Sequence, residues 1–214
     1  MLTAPERLEI DYRTLRLLVG LIALFLASVA STLAGAPPIT SISASYHAGG
    51  PARDVFVGSL FAISAFLLAY NGRSKKEMVL SKVAAVASLV VAVFPCGCGS
   101  HPEMIRYLHG VSAAVMFFVL AFFCLSFRRR AASKGHTQAR ARSVIYGLCG
   151  AAMLLAIGVM AVDTLLSGAI SDRVPRLTFY GESAALFAFG VAWLTASHIL
   201  PVISSKGERF SPFA

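Results

Sequence analysis

Six long runs almost free of charge constrain this chain more than any other feature. They are approximately Leu17 to Ala36, Val55 to Tyr70, Val83 to Phe94, Tyr107 to Phe127, Val144 to Leu166 and Ser183 to Leu200, the second extending through Gly72 and the third back to Met78. About 20 helical residues, each advancing about 1.5 Å, cross the roughly 30 Å of lipid tails. Backbone groups in lipid have no water to pair with, so such runs become helices unless a barrel closes, and barrel alternation is absent. The reading is an all-α polytopic membrane bundle with six transmembrane helices. It comprises an interfacial segment 1–16, a transmembrane domain 17–203 and a cytoplasmic tail 204–214.

Composition agrees: 57% of residues are hydrophobic and 14% charged, whereas soluble domains carry about 25% charged residues. The first run ends in small residues from Ala27 to Ala36, as a secretory leader does, but its length reads as a retained helix. Pro5 to Arg16 mixes Glu6, Glu9 and Asp11 with Arg7, Arg13 and Arg16 around apolar residues, the pattern of a short interfacial helix. The net charge of +9 does not point to nucleic acid, because the basic residues sit in short spacers between apolar runs.

Those spacers set an orientation. With the N-terminus cytoplasmic, the inner spacers hold 15 Lys and Arg, against Arg53, Arg106, Arg173 and Arg176 outside. The asymmetry predicts both termini in the cytoplasm. The inner run from Arg128 to Arg142 is a topology determinant, with anionic headgroup binding as the alternative. No Gly-rich phosphate loop, GxSxG elbow or HExxH motif is present.

The outer face gathers the chemistry. Ser45, Tyr46, His47, Arg53 and Asp54 lie in or after the first outer loop, and Cys96, Cys98, His101, Glu103, Arg106, Tyr107 and His109 in or after the second. Asp163, Asp172, Arg173, Arg176, Tyr180 and Glu182 flank the third. Ionisable residues at the lip of a span face the bundle interior, pair with one another or line a cavity. Asp54, His109, Asp163 and Glu182 sit near the outer ends of four different helices. His109 has Ser112, Ala113 and Met116 on its helical face, leaving room for a ligand, or else hydrogen-bonds a neighbouring helix. Asp54 and Glu182 at helix starts equally suit capping.

The loop Cys96-Gly97-Cys98-Gly99-Ser100-His101 fits a disulfide, a soft-metal site or redox chemistry; its spacing matches neither a zinc ribbon nor haem attachment. Cys124 and Cys149 read as small core residues, as do Ala84, Ala85, Ser88, Gly147, Gly150, Ala151 and Gly158. Trp193 reads as a packing residue or an inner interfacial anchor.

The fragments Ser45-Tyr46-His47, Arg53 to Gly58, Tyr70 with Gly72, Phe94-Pro95, and His109 with Ser112-Ala113 resemble the bacterial six-helix family catalogued as domain of unknown function 998, over about residues 40 to 195. That resemblance implies a fold and no activity. Ser45, His47, Asp54 and His109 are also similar to the residues of the alkaline ceramidase and adiponectin receptor membrane hydrolases, which implies zinc held among helix ends. Here the spans number six rather than seven, and the last helix has no HxxxH pair.

Two functions follow. One is a non-enzymatic accessory or sensor protein of the bacterial inner membrane. Its outward pocket, with Tyr46, Arg53, Ser112 and Tyr180, binds a lipid or small amphiphile. The other is a zinc-dependent lipid hydrolase, with His47, Asp54 and His109 on the metal and Glu182, with Asp54, in the catalytic role.

Overall fold

The computed structural model describes residues 12–99 and 101–208, and all regular structure among them is helical. The helices are α1 (Tyr12–Ala34), the single turn α2 (Ser45–Ala48), α3 (Gly50–Ala69), α4 (Lys75–Val93), α5 (Leu108–Ala132), α6 (Thr137–Leu165) and α7 (Leu177–Ser197). Two 3-10 turns follow, at Pro201–Ile203 and Lys206–Glu208. Consecutive long helices are antiparallel neighbours, and α7 returns to pack along both α1 and α6, closing the bundle.

Five helices, α1, α3, α5, α6 and α7, are long and apolar enough to cross a membrane. Large apolar side chains such as Phe25, Phe118, Leu148, Leu155 and Phe187 point away from the bundle. A surface of that kind suits lipid rather than water. The remaining long helix, α4, carries Lys75, Lys76, Glu77 and Lys82 in its first turns.

Each apolar run lies largely within one long helix, but the helices reach further into the charged spacers. α4 starts at a capping box. Ser74 accepts the Glu77 N–H at 3.2 Å, while the Glu77 carboxylate reaches back to the Arg73 N–H at 2.9 Å. His136 caps α6, its Nδ1 accepting the Ala139 N–H at 3.3 Å. Tyr12 to Arg16, expected in an interfacial segment, form the first turns of α1; the rest of that segment lies outside the described residues, as does the tail beyond Glu208.

Small and hydroxylic residues join the helices. The hydroxyls of Ser64, Ser81 and Ser88 donate across the α3–α4 interface to the carbonyls of Ala85, Leu67 and Leu60 at 2.8, 2.6 and 3.0 Å. Gly150 lies against Cys124, whereas Ala151 and Gly158 face outward, a correction to their expected packing role. Helices α1 and α7 approach closely at Gly20 and Gly190. A Cβ on Gly190 would meet the Gly20 carbonyl oxygen at 2.8 Å and Leu24 Cγ at 2.7 Å. Gly190→Ala is therefore expected to destabilise the bundle by about 1–3 kcal/mol through overpacking, read as a lower melting midpoint in detergent.

One end of the bundle is basic. There the Arg130 guanidinium grips Glu77 at 2.7 and 2.9 Å, and Glu208 accepts from Lys134 and from Arg142, the latter at 2.9 Å. Arg142, almost wholly buried, also donates to the Ile203 carbonyl at 2.6 Å, docking the tail. Burial, reinforced by the Arg142 charge, pushes His198 down to about 4, with Glu208 opposing and Lys134 and Arg13 adding to the repulsion. Burial would raise Glu208, but hydrogen bonds from Lys134, Arg142 and Ser205 outweigh it and hold the carboxyl down to about 2.

Both groups thus bind fewer protons folded than unfolded, and acid favours release. The His198 contribution is complete above its ordinary value of 6.5 and disappears as pH falls through about 4. That of Glu208 is complete above 4.5 and disappears toward about 2. The melting midpoint should hold above pH 7, decline between pH 6.5 and 4, and decline less in His198→Gln. Equal decline in the variant would remove His198 from the account.

Candidate functional site

At the opposite, polar end the loop between α1 and α2 is fastened to the start of α7. The Glu182 carboxylate accepts the Ile42 N–H at 2.5 Å and the Ser43 hydroxyl at 3.2 Å. One turn earlier the Phe179 N–H donates to the Thr40 carbonyl at 3.0 Å, and Arg176 Nε donates to the Ile39 carbonyl at 2.9 Å. Arg176 itself has a left-handed backbone, φ +67°, an unusual conformation for a non-glycine residue that its side-chain anchors hold in place.

His109 and His47 both bond to one short segment, Phe94 to Cys96. His109 Nδ1, at the start of α5, donates to the Phe94 carbonyl at 2.7 Å. His47 Nε2, in α2, donates to the Cys96 carbonyl at 2.8 Å. The His47 ring also stacks face to face on His101, with centroids 4.2 Å apart. Cys96 and Cys98 form a disulfide, and Ser41 Oγ lies 3.6 Å from Cys98 Sγ. The two thiols of this loop are therefore joined to each other.

Asp163 accepts the N–H groups of Ile170 and Ser171 at 2.9 and 3.0 Å, closing the loop between α6 and α7. Asp54 is exposed near the start of α3, with no hydrogen bond or ion pair to another of the described residues. Ser112 is buried one turn along α5 from His109. The fully buried Ser45 hydroxyl makes no hydrogen bond within the protein. Among the described residues, no three His, Cys, Asp or Glu side chains come together in a set able to hold a metal ion.

Arginines paired with aromatic rings decorate the rim. Arg53 lies over Tyr46 at 5.6 Å and Arg106 over Tyr107 at 4.7 Å. Arg176 lies over Phe179 at 4.1 Å and over Tyr180 at 5.7 Å. The sequence reading named Tyr46, Arg53 and Tyr180 as ligand-binding residues but did not anticipate the pairing. It also missed Ser41 and Ser43, whose small hydroxyls in a polar loop carry no recognisable motif.

Fold and site together define an α-helical bundle with several membrane-crossing candidates and a polar cap at one end. No family model, no curated protein and no solved structure matches this chain.

Proposed function

We propose that the chain is a six-span protein of the bacterial cytoplasmic membrane, both termini cytoplasmic, that binds a lipid or small amphiphile at its outer face in a non-enzymatic accessory or sensor role. In this reading α4 is the sixth span and its basic first turns lie at the cytoplasmic surface, where lysine side chains extend toward water. The resemblance to the six-helix family of unknown function belongs to the same reading.

The observation that carries it is the set of arginine–aromatic pairs at the polar end. A guanidinium seated on an aromatic face remains able to hydrogen-bond, and the ring beside it sits well at headgroup depth. An anionic or zwitterionic headgroup is the natural partner. The zinc hydrolase has less support: Glu182, His47 and His109 already bond to the backbone, and among the described residues Asp54 does not join them in a metal-holding set.

The test is mass spectrometry of lipid and metal in tag-free protein purified in mild detergent. Lipid should co-purify with the unmodified chain and fall about tenfold in Arg53→Gln/Arg106→Gln, from the loss of two cation contacts. Stoichiometric zinc that disappears in His109→Ala would instead establish the hydrolase reading.

A further inference from the structure

The basic end holds a cavity of about 50 Å³ lined by Arg16 of α1, Arg73 of the α3–α4 turn, Arg130 and Lys134 at the end of α5, Arg142 of α6 and His198 after α7. A water needs about 10–15 Å³ on this measure, so the space accommodates a small polyatomic group.

Among the described residues its charge is unbalanced. Five Arg and Lys side chains line it, and the carboxylates bonded to them are Glu77, on Arg130, and Glu208, on Lys134 and Arg142. Arg16 is directed inward by hydrogen bonds to the Ala196 carbonyl at 3.1 Å and the Tyr70 hydroxyl at 3.2 Å. Its Nε, and Nδ1 of the neighbouring His198, are buried and make no hydrogen bond within the protein. Arg73 is exposed at the mouth. The Glu208 carboxylate shows that Lys134 and Arg142 already present donors in an arrangement that grips an oxyanion. Several guanidinium groups around one small cavity suit a phosphate better than a carboxylate, because a phosphate offers more acceptor oxygens and more charge to planar donor forks.

We propose that this cavity binds a phosphate group, taken in by Arg73 and Arg16 with Lys134 and Arg142 as further donors, whether the group belongs to an anionic lipid headgroup or is free phosphate. Glu208 then competes with the ligand for Lys134 and Arg142. The cavity lies at the other end of the bundle from the arginine–aromatic pairs, so it stands independently of their role.

The test uses the full chain in two settings. Thermal melting in an uncharged detergent is followed with inorganic phosphate against chloride at equal ionic strength. Nanodiscs of phosphatidylcholine alone are compared with nanodiscs containing phosphatidylglycerol. Saturable stabilisation by inorganic phosphate identifies a free-phosphate site; stabilisation confined to phosphatidylglycerol identifies a lipid headgroup site. In whichever setting responds, Arg73→Gln should weaken binding about tenfold, the loss of one charge-assisted contact. Glu208→Gln should strengthen it, and Arg140→Gln, an exposed cation outside the cavity, should leave it unchanged. Melting without ligand establishes that each variant folds. No response in either setting, or equal weakening by Arg73→Gln and Arg140→Gln, overturns the proposal.

Discussion

Trp193→Ala is expected to lower stability by about 3 kcal/mol, near the lower end for a large core truncation. The indole is 1% exposed and touches four rings: Phe189 at 5.3 Å, Tyr70 at 5.4 Å, Phe127 at 6.1 Å and Phe123 at 6.3 Å. Removing it empties the place where α3, α5 and α7 meet. The lower figure follows from the reference state: helices that separate within lipid or detergent remain out of water, so lost dispersion and the residual void dominate over hydration. Trp193→Phe should cost less than about 1.5 kcal/mol, since the Trp193 Nε1 makes no hydrogen bond within the protein. Melting midpoints in one detergent decide between them. Equal effects of Ala and Phe would mean that the cluster is not a keystone of the bundle.

Glu182→Ala should cost about 2 kcal/mol, because it strands the Ile42 N–H and the Ser43 hydroxyl together. Residues 35–44 should then become sensitive to limited proteolysis while the long helices stay intact. Glu182→Gln retains an acceptor for Ile42 and should lose less than half as much. The pair of variants separates a latch from a catalyst. A general base lost to Ala would abolish turnover with the melting midpoint unmoved, whereas a latch loosens the loop.

The helices were legible in the sequence because exclusion of charge from lipid writes itself into composition. Their ends were less so. Ser74 and Glu77 form a capping box and His136 caps α6, but both caps sit in spacers where a count of apolar residues stops. The polar end was legible as an inventory: Glu182, His109 and His47 were all named and all lie there. What they do was hidden, since their partners are the backbone groups of Ile42, Phe94 and Cys96, and a backbone group has no sequence signature. At the basic end the run from Arg128 to Arg142 was visible as a bias in charge. Arg16, Arg73 and His198, far apart in the chain, meet it only when α1, α3 and α7 fold together.

The close seating of Gly190 against Gly20 bears on the order of assembly. The face of α1 around Gly20 emerges from the ribosome long before α7 (Leu177–Ser197), the helix that packs on it. A chain ending after α6 therefore lacks the helix that covers Gly20, so the last helix made completes the packing of the first.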